Sequence, residues 1–346
     1  MIAALNPWKT SNNATTSCKR GIAKQAKGDL DGAIADYNRA IELDPNAPRA
    51  YDCRGFAKRT KGDLDGAIAD YDKAIELDPQ DANGYHNRAF AKQAKDDLDG
   101  AIVDYDRAIE LNPSEAHAYN NRGFARLTKR DLDGALVDFD KAIELNPKDA
   151  SAHQNRASIK RTKGDVDGAL ADYDKAIEFN PKDTNVYYDR GTACYDKSDW
   201  SDALADFRKA SPAKSEVAKL DTVEDYSRIR IWLVRAKLSE RDAATSELSE
   251  YLRSRTTGKP GDWASTIARF LTGNLSESDF LKPANSGDEK QAQNQTCQAN
   301  FFAGSLRLIN GDKSAATDSF TKCQEAGARD SYEYQSAIAE LEALKQ

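Results

Sequence analysis

Three histidines, five cysteines and a recurrent acidic run are the side chains of this chain that could carry chemistry. His86, His117 and His153 are scattered, and no cysteine or carboxylate stands at a spacing that would complete a metal shell around them, so they read as polar surface lining. No serine or cysteine nucleophile has an identifiable histidine base, no glycine-rich loop follows a strand pattern, and HExxH is absent. Carboxylates abound in DLDG and ELDP, but they recur at one interval, which suits a solvated face better than a unique acid and base pair. DLDG lacks the spaced ligands and the closing glutamate of a calcium loop. The sequence therefore predicts no catalytic residue, no metal and no cofactor, and a peptidoglycan- or protein-processing enzyme is disfavoured.

The elements that position these residues are repeats. GDLDGAIADYNRAIELDP ends at Pro45, and close copies end at Pro79, Pro113, Pro147 and Pro181, each 34 residues on; a looser sixth copy, SDWSDALADFRKA, spans Ser198 to Ala210. Two helices and two turns fit that period, the mark of a solenoid of helical hairpins. Within Pro48 to Asp81, Tyr51, Arg54, Gly55 and Lys58 share a helical face; Gly62 breaks the first helix, Asp63 or Asp65 caps the second, and Pro79 ends it.

With that proline numbered position 32, position 8 is Gly21, Gly55, Ala89, Gly123, Ala157 and Gly191, small enough for close helix approach. Positions 20 and 27 are alanine in all six copies, and position 24 is aromatic: Tyr37, Tyr71, Tyr105, Phe139, Tyr173 and Phe207. This order seats an aromatic knob between closely spaced helices. It resembles the tetratricopeptide repeat (TPR) family over six copies from Thr10 to Ser215, with tyrosine or histidine where the family often has tryptophan at position 4, and with no closing proline in the sixth. The resemblance implies an all-α, right-handed superhelical solenoid. Position 7 is arginine in all six copies (Arg20, Arg54, Arg88, Arg122, Arg156, Arg190) and position 23 aspartate (Asp36, Asp70, Asp104, Asp138, Asp172, Asp206), so a ladder of structural Arg to Asp pairs is predicted.

The resemblance also implies that first-helix positions 2, 5, 9 and 12 line a concave groove. These read Arg49, Asp52, Phe56 and Arg59; Asn83, His86, Phe90 and Gln93; His117, Asn120, Phe124 and Leu127; then Gln154 and Arg161, and Tyr188 and Tyr195, in the fifth and sixth copies. Three phenylalanines at position 9 form a stripe that serves either a bound peptide or packing between repeats. Position 5 lacks the lysine and asparagine clamp for a C-terminal carboxylate, which disfavours chaperone-tail binding.

Across 346 residues, a formal charge of -7 argues against nucleic acid, and no apolar run approaches the ~20 residues of a transmembrane segment. No signal peptide is visible in MIAALNPWKTSNN, and the first twelve residues read as disordered. Cys18, Cys53 and Cys194 occupy unrelated repeat positions and read as free thiols, whereas Cys297 and Cys323 fall at the start and end of one degenerate hairpin, placed for either a disulfide or two packed thiols.

Beyond Ser211 the pattern loosens. SPAKSEVAKLD reads as a joint, Tyr226 to Arg253 as a degenerate hairpin, TTGKPGDW as a loop with Asp262 capping the next helix, KPANSGDEKQAQNQ as a mobile linker, and Tyr332 to Leu344 as an end-capping helix with Glu333, Glu340 and Glu342 outward. DYSRIRIWLVRAKL, TGKPGDWASTIARFLTGNLSESDFL and FFAGSLRLINGDKSAATDSFTKC resemble bacterial TPR lipoproteins of the NlpI type. That likeness implies an adaptor outside the cytoplasm that docks cell-wall hydrolases and a protease, and it favours a Cys297 to Cys323 bridge. The expectation is a non-catalytic scaffold for protein or peptide partners: residues 1–12 disordered, 13–215 six TPR copies, 216–346 a degenerate helical region. Localisation is periplasmic or envelope-associated if a leader precedes this sequence and cytoplasmic otherwise; a cytoplasmic assembly factor and a self-associating structural protein are the alternatives.

Overall fold

The computed structural model describes the backbone of residues 7–211, 223–254, 262–282 and 288–345, and the side chains from residue 13 onward. Among the described residues there are nineteen helices and no strand. The chain divides into two compact units, Met1–Arg156 and Ala157–Gln346.

The first unit is a series of helical hairpins: α1 (Pro7–Gln25) with α2 (Leu30–Leu43), α3 (Pro48–Thr60) with α4 (Leu64–Leu77), α5 (Ala82–Ala94) with α6 (Leu98–Leu111), α7 (Ala116–Thr128) with α8 (Leu132–Leu145), then the start of α9 (Ala150–Thr162). The acidic run explains the hairpin turn. Asp29, Asp63, Asp97 and Asp131 are N-caps whose carboxylates accept the amide of the glycine three residues on, satisfying one of the amides that a helix start leaves unbonded. A Cβ at Gly66 would stand 2.2 Å from Asp63 Oδ2, so DLDG is a cap with its clearance built in. Gly62 takes φ 88°, the left-handed turn that brings the second helix back.

The packing follows the predicted order. Tyr37, Tyr71, Tyr105 and Phe139 are fully buried, and a Cβ at Gly55 would meet the Tyr71 ring at 2.8 Å. Each such ring contributes roughly 1.5–3 kcal/mol on burial. The ladder is present in both units. Arg54 Nε and Nη2 donate to Asp70 at 2.9 and 2.5 Å, Arg88 to Asp104 at 2.8 and 2.6 Å, and Arg190 to Asp206 at 2.7 and 2.7 Å. Two features were not foreseen. The aspartates of the first five repeats each accept a second cation from position 11, as Lys92 to Asp104 at 2.7 Å, whereas the sixth has Cys194 there, and the arginine's other arm reaches position 25 of the preceding repeat, as Arg88 to Asp72 at 2.7 Å.

Helix α1 begins at Pro7, so the backbone of residues 7–12 is helical where disorder was expected; residues 1–6 lie outside the described residues. Proline at the first helical position explains that start.

The second unit holds the rest of α9, then α10 (Val166–Phe179), α11 (Thr184–Asp196), α12 (Trp200–Ala210), α13 (Val223–Lys237), α14 (Arg241–Ser254), α15 (Trp263–Leu271), α16 (Glu277–Phe280), α17 (Glu289–Ile309), α18 (Lys313–Glu325) and α19 (Tyr332–Leu344). One continuous core runs from Tyr188, Tyr195 and Phe207 through Trp232, Ile267 and Phe270 to Phe301, Phe302 and Phe320. That core ties the last repeat to the C-terminal helices, so the boundary between the units falls inside the fifth repeat, whereas the loss of sequence pattern falls near 215. The hairpin of α17 and α18 carries contacts like those of the repeats: Arg307 donates to Ala315 O at 3.1 Å and Ser319 Oγ at 2.7 Å, the offsets at which Arg126 reaches Gly134 O and Asp138.

Two expectations are corrected. Residues 289–295 belong to α17 and not to a linker, because Asp288 caps a run of good helix formers by accepting from Lys290 N at 2.9 Å. Glu333 and Glu340 face inward, 1% and 6% exposed, because the cations Arg230 and Lys237 on α13 receive them; Glu342 alone of the three is exposed. Most of the expected joint at 211–221 and of the loop at 256–263 lies outside the described residues.

Candidate functional site

In the first unit, position 9 faces outward: Phe56, Phe90 and Phe124 are 38%, 41% and 46% exposed, so the stripe is surface and not core. Arg59 lies between the first two rings, its Cζ 4.9 Å from the centre of Phe56 and 4.3 Å from that of Phe90, within cation-π range. Arg49, Asn83 and His117 at position 2 are exposed. Together with His86, Asn87 and Asn121, residues of this face line a cavity of about 390 Å³.

Position 5 is organised by a relation the sequence reading missed. Each side chain meets position 6 of the following repeat, 35 residues on. Asn87 Nδ2 donates to Asp52 Oδ1 at 2.8 Å, Asn121 Nδ2 and His86 Nε2 are joined at 2.9 Å, and Asn155 Nδ2 donates to Asn120 Oδ1 at 3.2 Å. Cys18 and Cys53 occupy the same register and interact, which corrects the expectation that they are unrelated. The Cys53 hydrogen bond is the main cause that lowers the Cys18 thiol to about 7, and it holds Cys53 up. Burial pushes the Asp52 carboxyl up against the opposing Asn87 bond, and burial lowers His86. The signal was in the sequence: polar residues or thiols at position 5 recur with partners at position 6 one repeat later.

Position 12 answers position 24. Gln25 and Gln93 accept the hydroxyls of Tyr37 and Tyr105 at 3.0 and 3.1 Å, whereas Leu127 stands in the repeat whose position 24 is Phe139. Gln93 and Leu127 are accordingly half-buried, as is Gln154. His153 is buried and binds Pro147 O through Nε2 at 3.0 Å, the role Tyr119 plays toward Pro113.

In the second unit, Arg161, Tyr188 and Tyr195 do not line an open groove. They are 7%, 5% and 1% exposed because the chain's own α19 lies on them. Cys297 and Cys323 are fully buried with Cα atoms 3.9 Å apart, and Cys194 is raised to about 12 by burial. Among the described residues, no three histidine, cysteine, aspartate or glutamate side chains gather to hold a metal, and no helix is long and apolar enough to cross a membrane.

Like hairpins with an invariant packing face and a varied, partly aromatic opposite face define a helical-repeat interaction module. The chain belongs to the tetratricopeptide repeat family: the family's repeat models match residues 21–60, 57–96, 94–129 and 157–198, and a single-repeat model matches 116–149. Such repeats are generally protein-interaction modules without catalysis of their own. Among solved structures, MamA is similar at 31% identity, covering 47% of this chain and 95% of its own, with a TM-score of 0.44. PilF of Pseudomonas aeruginosa matches at 17% identity over 60% of this chain and 95% of its own, with a TM-score of 0.54. A tetratricopeptide repeat protein of Parabacteroides merdae matches at 21% over 76% and 98%, with a TM-score of 0.53. The last two show the fold alone. No curated protein matches this chain.

Proposed function

We propose that this chain is a non-catalytic scaffold whose first unit receives a peptide or protein segment along Phe56, Phe90 and Phe124. The observation that carries this is the exposure of three phenylalanines in adjacent repeats, while the position 24 rings beneath them are fully buried. Exposed aromatics in a row offer apolar area to a partner, and the amides of Asn83, Asn87 and Asn121 beside them suit a peptide backbone.

A setting in the cell envelope, where the scaffold would recruit envelope enzymes, belongs to the same proposal. The likeness of the C-terminal stretches to lipoproteins of the NlpI type supports it, as does the adjacency of buried Cys297 and Cys323, which suits a disulfide in an oxidising compartment. The test is affinity capture from source-cell extract with wild type beside Phe56→Ala/Phe90→Ala/Phe124→Ala, after circular dichroism shows both folded. Partners held by wild type and lost by the variant, with affinity weakened about a hundredfold or more, are expected. Capture of the same set by both proteins would refute the groove.

A further inference from the structure

Arg59 holds position 12 of the second repeat, where the repeats on either side carry Gln25 and Gln93. Those glutamines accept the hydroxyls of Tyr37 and Tyr105 at 3.0 and 3.1 Å, and an arginine, which has no acceptor atom, cannot do the same for Tyr71. The Tyr71 hydroxyl and Arg59 Nε are in consequence both buried without a hydrogen-bond partner. A buried donor left unsatisfied costs stability, so the packing of its own repeat does not account for arginine at this position.

The chain itself shows what such an arginine takes. Arg161 is position 12 of the fifth repeat, and its Nε donates at 2.7 Å to Asp196 Oδ2, a carboxylate 35 residues on at position 13 of the next repeat. The residue 35 on from Arg59 is Ala94, whose side chain offers no acceptor. Asp52, on the same helix as Arg59, is engaged by Asn87 at 2.8 Å, and Arg59 pairs with no carboxylate among the described residues. Glu115, the one carboxylate lining the cavity of this face, stands at the start of α7, two hairpins beyond α3.

The rings fix where the cation sits. Arg59 Cζ lies over both Phe56 and Phe90, and such contacts place the charge without consuming the N–H fork that matches a planar carboxylate.

We infer that Arg59 is a specificity-determining residue of this face, and that the bound segment presents an aspartate or glutamate whose carboxylate pairs with the Arg59 guanidinium. Because Arg59 lies between Phe56 and Phe90 and the stripe continues to Phe124, a segment along it passes Arg59 with chain on either side, so the carboxylate is that of a side chain and not of a terminus. The inference rests on the proposed peptide face and adds the chemistry that the face selects.

The experiment displays random peptides between fixed flanks, with no free end, to the full chain, to Arg59→Gln and to Phe56→Ala/Phe90→Ala/Phe124→Ala, each shown folded by circular dichroism. Peptides held by wild type are expected to share an acidic position that peptides held by Arg59→Gln lack. For one such peptide, acetylated and amidated, exchange of that acid for its amide should weaken binding to wild type about tenfold or more and change binding to Arg59→Gln little. Wild-type peptides that are lost on the phenylalanine variant but share no acidic position, or an acid to amide exchange that costs the same on wild type and Arg59→Gln, would overturn this inference and leave the face standing. A wild type that holds no peptide, or holds the same peptides as the phenylalanine variant, refutes the face and this inference with it. Should Arg59→Gln not fold, the acid to amide exchange on wild type alone decides, and a loss under about threefold counts against the pairing.

Discussion

Replacing Arg88 with alanine removes one rung and two interfaces at once. Asp104 is 3% exposed and accepts Arg88 Nε and Nη2 at 2.8 and 2.6 Å, so the substitution leaves a buried carboxylate with Lys92 as its remaining cation at 2.7 Å. Breaking a buried pair by removing one partner costs about 3–5 kcal/mol, and the surviving lysine places this case near the low end, about 3 kcal/mol. The Asp72 arm adds about 0.5 kcal/mol or less, since the Asp72 side chain is 56% exposed. For a unit of this size that total lowers the melting temperature by roughly 6–14 °C. Thermal and urea unfolding followed by circular dichroism measure it, with Asp104→Ala and the double variant completing a cycle. The double variant should lose less than the two single losses summed, because it no longer buries an unsatisfied charge. A melting temperature unchanged within about 1 °C, or strict additivity, would refute the ladder as a source of stability.

Two further predictions concern titration. The Arg20 hydrogen bond, with help from Lys24 and against desolvation, holds Asp36 at about 2, below its ordinary 3.8. A depressed folded value means the contribution is complete above about 3.8 and is lost as pH falls toward 2. Urea unfolding over a pH series should therefore show Asp36→Asn flattening the acid limb between those values, and an unaltered slope would contradict it. For the thiols, alkylation of Cys18 should rise through about pH 7, and Cys53→Ala should move that midpoint toward the ordinary 9. Mass spectrometry of the same samples tests the proposed bridge: Cys297 and Cys323 should resist alkylation in denaturant until a reductant is added, and labelling without reductant would show two free thiols.

The hairpins were legible because their determinants are local and repeated. The cap at Asp63, the turn at Gly62 and the fit of Tyr71 against Gly55 lie within one period, and six copies make each rule visible. The Arg to Asp ladder was legible for the same reason, its partners being 16 residues apart. Less was legible where a rule crosses from one repeat to the next. The position 5 to position 6 pairs were missed although Asp52 and Asn87, or His86 and Asn121, stand at a constant offset of 35. The seat of α19 left no periodic trace, since Tyr332 reaches Asp189 across 143 residues and Glu340 reaches Tyr195 across 145. The glutamates of α19 looked like a solvent face because their cations, Arg230 and Lys237, are remote in sequence.

The arginine that clasps its own hairpin and the one before it has a consequence for how such a chain changes length. Arg88 spans Asp104 and Asp72, and Arg122 spans Asp138 and Asp106, so every junction is written entirely in offsets that a whole repeat carries with it. Duplicating or deleting one 34-residue segment recreates the clasp on both sides, because its partners recur at fixed places in each repeat. The reach of the molecule is therefore adjustable in steps of one hairpin with the clasp intact, while the residues at positions 2 and 9 remain free to diverge copy by copy.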